Sequence, residues 1–158
     1  MALYLSQPDA SPAEWQSRAA RLFPQQAQAG VRDQMAAVAL LFRRQFRDAV
    51  PLLRQAYDLA GQNAENLPVL LAWAMVESGD WNGVTGLIGP TPIPPEGGLG
   101  WLSSLHFPRL FYLRGRNLDR MGKHDQAIEN YRLFLKLSGD TPEIWGDEQR
   151  AREAVGSR

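Results

Sequence analysis

The chain has 158 residues, 44% of them hydrophobic and 22% charged, which is the balance of a single ordinary globular domain. Its 17 basic and 17 acidic side chains cancel, and this argues against a general nucleic-acid binder, which needs a positive surplus. The absence of cysteine excludes disulfides, thiol nucleophiles and the common structural zinc sites. The longest apolar run, 67–76, is too short to cross a bilayer, and the N-terminus has no signal-peptide pattern. We therefore expect a cytoplasmic protein that does not act in a membrane.

The first helix is predicted over residues 11–24, after a loose lead-in of ten residues. Ser11 is a favourable N-cap, Pro12 suits the first helical position, and Glu14 completes a capping box. Apolar residues then recur on one helical face until a proline ends the pattern. Further along the chain, no segment alternates apolar and polar residues with β-branched enrichment, so the sequence predicts an all-α fold.

Three later segments share one apolar spacing of x, x+3, x+7 and x+10. They comprise Phe46, Ala49, Leu53 and Ala56, then Trp81, Val84 and Ile88, then His124, Ala127, Tyr131 and Phe134. Nine residues before each start lies a small residue, and three residues after that small residue lies a large apolar one. These pairs are Ala37 and Leu40, Ala72 and Met75, and Gly115 and Leu118. The pattern is typical of helix hairpins in which a small residue permits close packing and each hairpin is covered by the next.

The connections between the paired helices are also recognisable. Gly79 and Gly122 are predicted to form tight turns, whereas Arg44 occupies the corresponding position in the first copy. A proline- and glycine-rich insertion, 89–100, lengthens the interval between the second and third copies. We expect this insertion to be an irregular crossover that ends where Trp101 and Leu105 begin the next helical region. The alternative is that its proline cluster is a ligand for an SH3-like domain.

A final helix is predicted over 141–155, with Thr141 as N-cap and Pro142 at its first position. Apolar residues form a thin stripe on this helix, and the charged remainder is expected to face solvent. That charged set is Asp147, Glu148, Arg150, Arg152 and Glu153. Such a helix suits the end of a stack of repeats, where one face has no further repeat to cover it.

These residues resemble the tetratricopeptide repeat. The best copy runs from 111 to 139, and the three copies span 30–63, 65–88 and 108–139. Arg114 departs from the family pattern, because an apolar residue is usual at that position. The resemblance implies an α-α superhelix of stacked antiparallel hairpins over 1–158, with a capping helix at each end.

The resemblance also implies a binding wall made by the first helix of each repeat. The matching positions are Gln34, Met35, Val38 and Phe42, then Val69, Leu70, Trp73 and Glu77, then Arg109, Tyr112, Arg116 and Arg120. This wall grades from apolar to basic, so it suits a protein or peptide segment with apolar anchors and an acidic end. Trp73 and Tyr112 are the expected anchors, since aromatic side chains dominate small interfaces. The Lys/Asn clamp by which some family members hold a terminal carboxylate is absent from the first two copies.

The sequence thus predicts a protein-interaction scaffold, free-standing or part of a larger bacterial-type regulator or assembly factor. One alternative is an oligomerisation module that forms a homodimer, in which the apolar positions pack against a second copy or the terminal helix. Another is a secretion chaperone, since three-repeat chaperones of type III systems have a similar size. An enzymatic function is the least expected, because the sequence contains no combination of acid, base and nucleophile residues that is typical of an active site. His106 and His124 lack ligand spacing, so no metal and no cofactor are expected.

Overall fold

The computed structural model describes residues 11–22, 29–61, 67–89, 103–138 and 146–156, and no β-strand occurs within these ranges. The helices are α1 (Pro12–Leu22), α2 (Ala29–Phe42), α3 (Phe46–Ala60), α4 (Leu67–Ser78), α5 (Val84–Ile88), α6 (Ser103–Arg120), α7 (His124–Ser138) and α8 (Asp147–Gly156). The prediction of an all-α fold is confirmed for this part of the chain. None of these helices is long and apolar enough to cross a membrane.

The chain divides into two compact units, Met1–Asp80 and Trp81–Arg158. In the first unit, α2 packs against α1, α3 and α4, and α3 also packs against α4. In the second unit, α6 packs against α5 and α7, and α7 packs against α8. The boundary between the units falls within the second predicted repeat, between its two helices.

Helix α1 begins as the sequence predicts. The backbone N–H of Glu14 donates to Oγ of Ser11 at 3.3 Å, and the N–H of Ser11 donates back to Oε2 of Glu14 at 2.5 Å. These reciprocal bonds satisfy two backbone donors that the first turn cannot pair internally. The same contacts lower the pKa of the exposed Glu14 carboxyl, chiefly through the backbone bond at Ser11.

The second helices of the three copies bury the same positions. The residues at x+3, x+7 and x+10 are at most 2% exposed, whereas the starting residue of each copy keeps exposed surface. The buried set is Ala49, Leu53, Ala56, Val84, Ile88, Ala127, Tyr131 and Phe134. The small residues of the pattern are likewise buried, as close helix packing requires: Ala49, Ala72, Gly115 and Ala127. The apolar spacing therefore marks one core-facing stripe, repeated three times.

Gly115 shows why a small residue is required in the first helix of a copy. A Cβ atom built on Gly115 would lie 2.5 Å from Cε1 of Tyr131, well inside van der Waals contact. The bare backbone of α6 lets the Tyr131 ring of α7 lie directly against it. The small position thus sets the distance between the two helices of this hairpin.

The three first helices end in one backbone geometry. In each, an N–H donates to the carbonyl five residues earlier at 2.9 Å, a bond typical of a Schellman ending. The pairs are Gln45 with Leu40, Asp80 with Met75, and Lys123 with Leu118. The residue before each donor is left-handed, with φ of 59° at Arg44, 82° at Gly79 and 73° at Gly122. The predicted turn glycines are confirmed, and Arg44 adopts the conformation of the glycine that it replaces.

Helix α6 begins at Ser103, between Trp101 and Leu105, where the sequence predicts the helical region that leads into the third copy. The helix includes Leu105 and Pro108. Pro108 is accommodated inside the helix although it cannot donate a backbone hydrogen bond. Residues 90–102, with Trp101 and most of the insertion, lie outside the described ranges, as do 23–24 and the predicted cap at 141–142.

The departure at Arg114 has a structural reason. Its Nε donates to the carbonyl of Ile88 and its Nη2 donates to the carbonyl of Gly89, both at 2.8 Å. Arg114 therefore caps the C-terminal end of α5, whose last carbonyls have no partner within that short helix. Its guanidinium also lies 5.8 Å from the centre of the Phe111 ring. An apolar residue would fill the space but leave the two carbonyls without this donor.

Candidate partner-binding surface

The predicted binding-wall residues of the first unit fall into two groups, one buried and one partly exposed. Leu70 and Trp73 are 1% and 3% exposed, so they belong to the core. The other predicted residues on α2 and α4 are partly exposed. They are Gln34, Met35, Val38, Phe42, Val69 and Glu77. The prediction that Trp73 anchors a partner is therefore corrected, because the indole has almost no surface to offer.

The burial of Trp73 follows from the composition of α4. Ten consecutive residues from Leu67 to Val76 include no charged side chain, and eight of them are buried. A helix that is apolar on all sides has to be covered on all sides. α4 accordingly packs against both α2 and α3, and the Trp73 ring lies 6.0 Å from the Phe46 ring. The repeat pattern located Trp73 on the first helix of a copy, but it did not show how completely neighbouring helices cover that position.

Helix α2 carries the apolar part of the remaining surface. Met35, Val38 and Phe42 follow one another at spacings of three and four residues, so they lie on one face of the helix. All three are partly exposed, while Ala36, Ala37 and Leu41 on the other faces are fully buried. This face is an apolar stripe that keeps part of its surface exposed.

A cleft lies where α2 ends and α3 begins. It is an open cleft of about 280 Å³, lined by Arg44, Gln45, Phe46, Arg47, Asp48, Glu77 and Ser78. The left-handed backbone at Arg44 turns the chain sharply there, so that the end of α4 and the start of α3 face the same opening. The sequence pattern identified Glu77 among these residues but not the others. The turn position at Arg44 is the signal that could have located them.

In the second unit, Tyr112 is also buried and does not serve as a surface anchor. Its side chain is 0% exposed, with ring centres 5.4 Å from Phe134 and 6.0 Å from Tyr131. Its hydroxyl oxygen accepts hydrogen bonds from Nη1 of Arg116 at 2.9 Å and from Nε of Arg150 at 2.8 Å. Burial raises the pKa of Tyr112. The prediction that Tyr112 contacts a partner is thus corrected, since the ring is part of the core.

Arg109 and Asp147 form a buried ion pair that the sequence pattern did not reveal. Nε of Arg109 donates to Oδ2 of Asp147 at 2.7 Å, and Nη2 of Arg150 donates to Oδ1 at 2.5 Å. The Asp147 side chain is 0% exposed and that of Arg109 is 7% exposed. Two predictions are wrong here. Arg109 is not available to a partner, and Asp147 does not lie on a solvated face as Glu148 partly does.

Arg116 and Arg120 keep exposed surface, but they pack on an aromatic ring of their own unit. The guanidinium carbons lie 6.0 Å and 5.1 Å from the centre of the Trp81 indole. Such cation–π contacts hold both cations over the ring face. Trp81 is partly exposed, and both arginines pack on its ring. The sequence pattern identified Trp81 only as the first residue of a copy.

The turn between α6 and α7 is held by one carboxylate. Oδ2 of Asp119 accepts a hydrogen bond from the Tyr131 hydroxyl at 2.9 Å, and Oδ1 lies 2.9 Å from Nδ1 of His124. Burial and the bond to Asp119 raise the pKa of Tyr131. His124 is exposed and has a packing contact at the turn, as its position suggested.

The burial pattern of the second helices and the turn geometry of the first helices recur in the three copies. Among the described residues, no group of three His, Cys, Asp or Glu side chains is placed to hold a metal ion. No protein-family model, curated protein or solved structure matches this chain.

Proposed function

We propose that this chain is a protein-interaction module of the tetratricopeptide type, and that its partner binds along α2 and α4 of the first unit. The observation that carries the proposal is the apolar stripe of Met35, Val38 and Phe42, three residues on one helix face that all keep exposed surface. Helix faces of this kind bind extended or helical segments through apolar anchors at regular spacing.

The cleft at the end of the stripe indicates the chemistry of the partner. Its lining combines two basic side chains, Arg44 and Arg47, with two acidic ones, Asp48 and Glu77. Because the charges balance, the partner's end that enters the cleft is expected to be polar with both donors and acceptors. The partner is therefore a polypeptide segment with apolar side chains along α2 and a polar end beside Phe46.

Site-specific photocrosslinking tests this proposal directly. A photoreactive amino acid is placed at Val38 or Phe42 in the full chain, which is then exposed to an extract of its native host. The matched control carries the same group at Leu59 of α3, which is 60% exposed and outside the proposed surface. A polypeptide crosslinked at Val38 and Phe42 but not at Leu59 is the expected result.

The captured polypeptide is then purified and its affinity measured. Val38→Lys is expected to weaken binding by about tenfold or more, since it places a charge in the centre of an apolar contact. Far-UV circular dichroism shows whether the helices persist. Crosslinking of equal strength at Leu59, or a folded Val38→Lys variant that binds like the parent, would exclude α2 as the binding surface.

A further inference from the structure

The outer face of α7 carries two leucines that the fold of the second unit leaves uncovered. Leu133 and Leu137 are 43% and 44% exposed, one helical turn apart. The adjacent face of the same helix, about 100° away, is buried and carries Ala127, Tyr131 and Phe134. Gln126 and Asn130 lie on the same face as the leucines, nearer the start of the helix. We call these four residues, 126, 130, 133 and 137, the α7 seam.

A stripe of charged residues borders one flank of the α7 seam. Its members are exposed and recur at spacings of four, three and four residues: Asp125, Glu129, Arg132 and Lys136. Both acidic residues lie in the first half of the helix and both basic residues lie in the second half. The flank is thus negative at one end and positive at the other.

The helix dipole accounts for only part of this order. An acid near the start and a base near the end stabilise a helix, but the effect is confined to the first and last turns. Asp125 and Lys136 lie in those turns, whereas Glu129 and Arg132 lie in the middle of the 15-residue helix. Glu129 and Arg132 are spaced for an i, i+3 attraction within the helix, but that attraction does not account for the exposed leucines beside them.

We propose that the α7 seam is a self-association surface on which the α7 helix of a second copy docks antiparallel. In antiparallel helix pairs related by a twofold axis, each flank of one helix faces the same flank of the other in reversed direction. The negative half of one flank then lies against the positive half of the other. Glu129 of each copy meets the basic end of its mate, and Leu133 and Leu137 are covered between them.

A parallel pair lacks this complementarity. In that arrangement the charged flank of one helix faces the flank of its mate that carries Ala127, Tyr131 and Phe134 and is buried in the mate's own core, so the charges meet no complementary set. The charge pattern therefore selects a second copy in antiparallel orientation, with two equivalent sets of ion pairs. This inference concerns the second unit and is independent of the partner surface proposed on α2 and α4.

Sedimentation equilibrium of the full chain tests the pairing. The apparent mass is expected to rise with concentration from 17.7 kDa towards twice that value. Leu133→Lys is expected to weaken dimerisation by about tenfold or more, because a twofold dimer would then contain two buried lysines, one from each copy, in the centre of its interface. Leu59→Lys, at a more exposed leucine on α3, is the matched control and should dimerise like the parent.

Charge exchange separates antiparallel pairing from a general effect of charge. Glu129→Lys alone and Lys136→Glu alone should each weaken self-association by about tenfold, because each converts two attractions into repulsions. An equimolar mixture of these two variants should dimerise again, since each then presents the charge that the other lacks. The double variant Glu129→Lys/Lys136→Glu should also recover the parent's affinity.

Three outcomes would overturn the pairing. They are a parent chain that stays monomeric up to near-millimolar concentration, a dimer indifferent to Leu133→Lys, and a mixture of the two charge variants that fails to associate. Circular dichroism of every variant confirms that it is folded. A failure here leaves crosslinking at Val38 and Phe42 unaffected, so the two proposals are judged separately.

Discussion

The buried carboxylate of Asp147 accepts a 2.7 Å hydrogen bond from Nε of Arg109, and this contact ties α8 to α6. The two residues are 38 positions apart, and each looks like a surface residue when the sequence is considered alone. Arg150 donates to the other carboxylate oxygen and also to the Tyr112 hydroxyl, so one network joins the last helix to the core of the second unit.

The first prediction concerns this ion pair. Asp147→Ala should lower the free energy of unfolding by about 3–5 kcal/mol, because it leaves Arg109 buried without its counterion. Glu148→Ala is the matched control, since the neighbouring carboxylate pairs with Arg152 near the surface and should cost only about 0–1 kcal/mol. Urea denaturation gives both values. Equal losses would show that the buried pair does not hold α8.

The second prediction concerns the close contact in the third copy. Gly115→Ala should lower the free energy of unfolding by about 1–3 kcal/mol, because the new methyl group meets the Tyr131 ring at 2.5 Å. Gly86→Ala in α5 is the control, since nothing lies within 4 Å of its added methyl group. That substitution should be neutral or stabilise by up to about 1 kcal/mol through helix propensity. Thermal unfolding that ranks the two variants in the opposite order would refute the close approach of α6 and α7.

The third prediction uses the equivalence of the turns. Arg44 has φ of 59°, a left-handed conformation that costs a residue with a Cβ atom about 1 kcal/mol. Arg44→Gly should therefore raise the free energy of unfolding by up to about 1 kcal/mol. Gly122→Ala should lower it by about the same amount, through strain alone, because no atom lies within 4 Å of the added methyl group. Chemical denaturation of both variants checks for effects of opposite sign.

The fourth prediction concerns alkaline pH. The pKa of Tyr131 is raised in the folded chain above the ordinary tyrosine value of about 10, because the ring is buried and its hydroxyl donates to Asp119. Above pH 10 the unfolded chain releases this proton while the folded chain retains it. The stabilisation is complete below pH 10 and is lost as the pH rises towards the folded pKa.

Stability should consequently fall above pH 10, with a slope of up to about 1.4 kcal/mol per pH unit for each such tyrosine. Tyr112, whose pKa is also raised by burial, adds to this slope. Tyr131→Phe should be less stable than the parent at neutral pH but should lose less stability between neutral and alkaline pH. Circular dichroism melts recorded alongside tyrosinate absorbance test this, and parallel pH profiles for the two chains would contradict it.

Local rules accounted for much of the architecture. The capping box at Ser11, the turn glycines and the three buried stripes depend on residues within a few positions of one another, so spacing along the chain is enough to predict them. Arg44 marks the limit of these rules, because its residue type disfavours the left-handed conformation that it adopts at the position of the turn glycine.

The candidate site was predicted less well. The repeat pattern placed Met35, Val38 and Phe42 on a helix face, and these residues retain exposed surface. It also placed Trp73, Arg109 and Tyr112 on such a face, and all three are buried. Their burial depends on which helices cover them, and that information lies in contacts between distant parts of the chain.

The sequence by itself determined the all-α class, the cap at Ser11, the turn glycines and the core-facing stripe of the second helices, because hydrophobic periodicity and turn chemistry act over short distances. Only the tertiary structure decided which polar side chains are buried. A buried charge is tolerated where a distant partner neutralises it, as Arg109 does for Asp147 across 38 residues, and no local pattern encodes that pairing.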